Sequence, residues 1–79
     1  MATILRLPAT LAKTADGRST HYLKISQGFM TSPVSLGARA VGWPEHEIDA
    51  VLNARIAGKS DDEIRALVVN LEAARKASA

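Results

Sequence analysis

The chain contains no cysteine, and its 79 residues hold only one tryptophan, one tyrosine and one phenylalanine. Without thiols there is no disulfide framework, no thiol catalysis and no cysteine-based zinc site. No apolar run approaches the roughly 20 residues that a membrane-crossing helix needs, so no membrane partner is expected. The start of the chain lacks the basic, apolar and small-residue order of a secretory leader. A soluble, unprocessed, cytoplasmic protein is the expectation. Hydrophobic residues make up 47%, but fourteen are alanine, which leaves 23 larger apolar side chains. That number fills one modest core and not two. A domain this small buries only about 60% of its unfolded surface, and a deep catalytic pocket would consume much of its core.

Charge is uneven along the chain. Residues 1–43 carry five basic side chains against Asp16 alone, a net +4, while residues 44–79 carry five against seven acids, a net −2. A basic half beside an acidic half suits a polyanion bound on one side only.

Helical spacing organises most of the sequence. After a short lead-in, in which Ile4 and Leu5 cover an edge of the core, Pro8 suits a first helical turn. Leu7, Leu11 and Ala12 follow at helical spacing. Asp16-Gly17 is a turn signal that ends this helix near Thr14. A second helix is predicted from Arg18 to Gln27, with Tyr22, Ile25 and Phe29 on its apolar face. Thr20, Lys24 and Gln27 form the opposite polar stripe, and Gly28 is the C-terminal stop. Two short helices about a tight turn are a helix-turn-helix pattern. Val34-Ser35-Leu36 alternates as a half-buried strand does, and Ala40-Val41-Gly42-Trp43 returns, so a hairpin with Arg39 near its tip is predicted. Such a hairpin is marginal alone and must lean on the helices.

Pro44 opens a third helix at its first position. Glu45, Glu47 and Asp49 load its start with acid favourable to the helix dipole, and Ile48, Val51, Leu52 and Ile56 form its apolar stripe. Gly58 ends it. Ser60 and Glu63 match a capping box that starts a fourth helix with Ile64, Leu67, Val68 and Leu71 on one face. Its tail from Ala73 to Ala79 is expected to fray. The stripe either folds back on the domain's own core or forms a dimer surface.

For catalysis the inventory is thin. His21 and His46 have no nucleophile or metal-ligand constellation around them, and no glycine-rich phosphate loop is present. No enzymatic activity and no cofactor are expected. For nucleic acid the inventory is better. Arg18, Ser19 and Thr20 supply donors at the start of the second helix, and Lys24 continues its polar stripe. Such groups bond to base edges and phosphates, and Arg39 on the hairpin reaches a neighbouring phosphate or the minor groove. His21, at the edge of the apolar face, either caps the core boundary or contacts a phosphate.

These residues form an ordered string: Arg6-Leu7-Pro8, Lys13-Thr14, Arg18-Ser19-Thr20 with Tyr22, Gly28, Pro33-Val34, Leu36-Gly37 and Arg39-Ala40-Val41-Gly42-Trp43. With Glu45, Glu47 and Ala54-Arg55-Ile56, it resembles the AlpA family of prophage regulatory proteins over about residues 5–57. The resemblance implies a winged helix-turn-helix similar to MerR-like and excisionase-like domains, acting as a transcriptional activator or an excision factor. It makes Arg18 to Gln27 the recognition helix, Val34 to Trp43 the wing and Trp43 a core anchor. Ala15, Asp16 and Gly17 stand where the family usually has Gly-Leu-Ser, so the second helix is capped by Gly17 or by Asp16. His21 replaces an apolar residue, and Leu23 an arginine, with Lys24 beside it.

The fold expected is mainly α-helical with a small β-hairpin. Residues 1–58 would form the winged helix-turn-helix DNA-binding domain, and residues 59–79 a C-terminal amphipathic helix for core packing or dimerisation. The partner expected is double-stranded DNA, read by Arg18, Ser19, Thr20, Lys24 and Arg39, with the protein acting as a homodimer or cooperative oligomer. The alternative is an adaptor that grips an integrase or RNA polymerase through the C-terminal helix.

Overall fold

The computed structural model describes residues 3–77. In chain order its elements are β1 (Ile4–Leu5), α1 (Leu7–Thr14), α2 (Arg18–Ser26), β2 (Val34–Gly37), β3 (Ala40–Pro44), α3 (Glu45–Ile56) and α4 (Asp61–Ala77). Pro8 lies in the first turn of α1, where its missing N–H is no loss. Two helices end on paired backbone bonds. The Gly28 and Phe29 N–H groups donate to Ile25 and Lys24 carbonyls, and those of Gly58 and Lys59 donate to Arg55 and Ala54 carbonyls. Both sets satisfy carbonyls that a helix end leaves open. The capping box forms as expected: the Glu63 N–H donates to Ser60 Oγ at 3.2 Å, and the Ser60 N–H donates to Glu63 Oε1 at 3.4 Å.

The sheet is larger than the hairpin predicted. β1 pairs antiparallel with β3, Leu5 opposite Trp43, and gives a three-stranded sheet of order β1-β3-β2. Gly42 makes this possible. A Cβ there would lie 2.5 Å from Ile4 Cγ2 and 3.0 Å from the Leu5 carbonyl oxygen, so β1 approaches where a side chain would block it. Pro44 closes β3 and caps α3 rather than opening it, and helix begins at Glu45. In the hairpin the register shifts between Ser35 and Gly37. Leu36 falls in that irregularity and stays exposed, against the strict alternation expected of it.

Trp43, Ile48, Val51, Met30, Ile64 and Val68 form the buried core, with Leu5, Leu7, Ile25, Phe29, Leu52, Leu67 and Leu71 packed around it. The apolar stripe of α4 therefore lies against the domain's own core. Its far end is not frayed at Ala73, because helix continues to Ala77 and Arg75 ties it down. The Arg75 guanidinium donates to both Glu47 oxygens and to the Ser32 carbonyl, and the Ser32 N–H donates to Glu72 at 2.7 Å. Residues 78–79 lie outside the described residues.

Glu47 stands in the first turn of α3, as the dipole argument expects, and it is also fully buried and paired with Arg75. Glu45 is likewise in the first turn, and it and Asp49 both pair with Lys13 at the end of α1. Removing one partner of a buried pair leaves an uncompensated charge and costs about 3–5 kcal/mol. Arg75→Ala is therefore expected to lower unfolding free energy in urea by about 3 kcal/mol. Adding Glu47→Gln to it should recover part of the loss.

Candidate nucleic-acid interface

The turn between α1 and α2 is built from three residues with different tasks. Ala15 adopts a left-handed conformation, φ 58°, that reverses the chain. Gly17 is the N-cap of α2 and makes no side-chain cap bond. Asp16 does not cap: its carboxylate accepts from Lys24 Nζ at 2.8 and 3.0 Å. The first residues of α2 thus keep backbone N–H groups with no side-chain acceptor, which suits an anion.

Arg18, Ser19 and Thr20 stand exposed on the first turn of α2, and their side chains make no hydrogen bond or ion pair with another described residue. Lys24 departs from this set. It is half-buried and neutralised by Asp16, so the expected free cation is engaged within the fold. Arg39 occupies the hairpin turn, exposed and unpaired among the described residues. Arg6, at the start of α1, is likewise exposed and unpaired among the described residues, and it lies outside the DNA-contact set expected from the sequence.

The inner face of α2 also differs from the one predicted. His21 is fully buried, whereas Tyr22 is 40% exposed. The His21 ring meets Trp43 edge-on at 4.8 Å, and Tyr22 meets Trp43 at 6.4 Å. His21 therefore belongs to the core boundary and is remote from any phosphate role. The contact also fixes α2 against β3, the strand whose other end carries the wing turn. Trp43 lies four residue steps from Arg39, about 13 Å along extended chain. Trp43 Nε1–H donates to the Thr31 carbonyl at 3.0 Å, which pins the segment entering the wing.

Neither His21 nitrogen has a hydrogen-bond partner. Burial pushes the imidazole below its ordinary value, with Asp16 opposing and Lys24 adding to the shift. His46, by contrast, is exposed on α3. The described residues enclose no pocket and include no group of three or more histidine, cysteine or acidic side chains able to hold a metal ion. None of the described helices is long and apolar enough to cross a membrane.

Two helices about a tight turn, a small three-stranded sheet that contains the hairpin, and the helix α3 that follows it form a winged helix-turn-helix, to which α4 is added as a C-terminal helix. Residues 3–56 match the family described as prophage CP4-57 regulatory protein (AlpA), and the chain belongs to that family of prophage regulators. The match runs from the edge of β1 to the end of α3 and leaves α4 outside it. No curated protein and no solved structure matches the chain.

Two measurements follow from the turn and the buried ring. A folded-state histidine with a depressed pKa contributes stability that is complete above its unfolded value, 6.5, and is lost as pH falls below it. Urea unfolding from about pH 8 to about pH 5 should show stability declining below pH 6.5, and His21→Leu should remove that decline. Ala15 in the left-handed region carries a steric cost that glycine avoids, so Ala15→Gly should raise stability by about 0.5–1 kcal/mol in the same assay.

Proposed function

We propose that this prophage regulator binds double-stranded DNA, with α2 in the major groove and the hairpin turn against the neighbouring backbone or minor groove. The observation that carries the reading is the unpaired, exposed set of Arg18, Ser19 and Thr20 at the start of α2, fixed through Trp43 to the strand that follows the turn holding Arg39. Arg18 pairs with a guanine edge or a phosphate, Ser19 and Thr20 bond to phosphate or base, and Arg39 grips the backbone from the wing. Lys24 joins them by giving up Asp16 to a phosphate, so Asp16 acts as a brake on affinity.

One module of this kind buries roughly 600–1,000 Å² of protein surface. Binding as a homodimer, or cooperatively on repeated sites, supplies the specificity that one copy lacks. The regulatory output is transcriptional activation or architectural assistance to excision, and DNA bending distinguishes the two. Capture of an integrase or RNA polymerase through residues 59–79 is the weaker reading, because Ile64 and Val68 of that segment are already buried.

The test is a titration of the full chain with a duplex from the element's own promoter or attachment region, across a range of salt. Arg18→Ala and Arg39→Ala should each weaken binding and flatten the log–log salt dependence by about 0.9. Asp16→Asn should strengthen binding. Unchanged affinity and unchanged salt dependence in the Arg18→Ala/Lys24→Ala double variant would refute this surface.

A further inference from the structure

The outward face of α2 is centred on an apolar side chain. His21 and Ile25 face the core. With each residue turning about 100° around the helix, the direction opposite these two belongs to Leu23. Ser19 and Gln27 lie one turn to either side of it, and Thr20 and Ser26 lie diagonally. All five are exposed, Leu23 by 55%. Its four neighbours are neutral hydroxyls or an amide. The Gln27 side chain makes no bond to a described residue, and Ser26 Oγ donates to the Leu23 carbonyl. The cations lie at the rim of this face: Arg18 at the N-terminal end, and Lys24 to one side, held by Asp16.

A face with its charge at the rim and none at its centre grips phosphates from the edge and meets base edges in the middle. Leucine there supplies nothing to the core, and no hydrogen-bonding group of a base can pair with it. The apolar feature that a base pair presents in the major groove is the C5-methyl of thymine. The other exposed ring nearby, Tyr22, is turned toward His21 and Trp43, so the apolar spot is one side chain wide. That is too small to seat a protein partner and large enough for a methyl group.

Resting on the DNA-binding reading above, we propose that Leu23 is a specificity residue that packs on a thymine methyl, with Gln27 one turn further placed for the edge of a neighbouring adenine. The protein therefore selects A·T pairs at the centre of its site, flanked by contacts to phosphate from Arg18. Gln bonds bidentately to adenine N6 and N7, and withdrawing one methyl group from contact changes affinity by about fourfold.

The experiment starts from duplexes enriched by the full chain out of a randomised pool. Each thymine of an enriched duplex is then replaced singly by deoxyuridine, which removes the methyl and leaves pairing intact. One or two adjacent replacements should weaken wild-type binding about fourfold. Leu23→Ala should bind the thymine and deoxyuridine duplexes equally, while Arg18→Ala should still distinguish them. Enriched duplexes that tolerate deoxyuridine at every thymine would overturn the role of Leu23 and leave DNA binding standing. So would a full chain whose sedimenting dimer is lost in Leu23→Ala, because Leu23 would then meet a second copy. If no duplex is enriched at all, the DNA-binding reading fails and the role of Leu23 with it.

Discussion

The packing of Trp43 is the constraint on which the arrangement depends. It is wholly buried, and it lies in the strand that pairs with both others. Its ring meets His21 and Tyr22 of α2, and its N–H holds the Thr31 carbonyl just before the hairpin. One indole thus fixes the helix, the wing and the segment between them. A tilt of α2 relative to the hairpin would have to repack that ring, which a close-packed interior resists. The indole N–H finds a partner, as a buried tryptophan requires. The imidazole beside it finds none, so the anchor includes an unsatisfied polar group.

Much of the charge asymmetry between the two halves of the chain is consumed inside the fold. Lys13 pairs across to Glu45 and Asp49, Lys24 pairs back to Asp16, and Arg75 neutralises Glu47. Among the described residues of the basic half, Arg6, Arg18 and Arg39 keep no ion pair. Net charge by segment therefore overstates the free positive surface and misplaces it. The remaining cations stand at the start of α1, the start of α2 and the wing turn.

Helix positions were legible because their signals are local. Pro8, Gly28, Gly58 and the Ser60–Glu63 box each act within one turn, and each stands where expected. The hairpin was legible from its alternation and turn. β1 was not, because two residues carry no period and their pairing depends on the missing side chain of Gly42 in a distant strand. Asp16–Lys24 and Glu47–Arg75 span 8 and 28 positions, and no periodicity connects them. The α2 face was misjudged for a different reason. Tyr22 and Leu23 are both apolar, and their exposure follows from His21 taking the core position. A wheel drawn with His21 inside would have put Leu23 at the outer centre. Size and apolarity favoured the tyrosine, whereas the geometry of Trp43 admits the smaller ring.

The weak points of the helix-turn-helix and the strong points of α4 complement each other. The turn holds an alanine in a conformation suited to glycine, a cap without a side-chain bond and a buried imidazole without a partner. α4 braces α2 and the wing from behind. Arg65 Nε donates to the Gln27 carbonyl at the end of α2, and its guanidinium lies 4.3 Å over the Phe29 ring, with Arg55 at 5.0 Å. Stacking of this kind contributes about 0.5–1 kcal/mol at exposed sites. At the other end, Arg75 and Glu72 hold Ser32 on the approach to β2. The helix that lies outside the family match thus steadies both ends of the segment joining α2 to the wing. Met30 and Thr31 bury the middle of this segment, and hydrogen bonds from a long, well-capped helix hold its two ends.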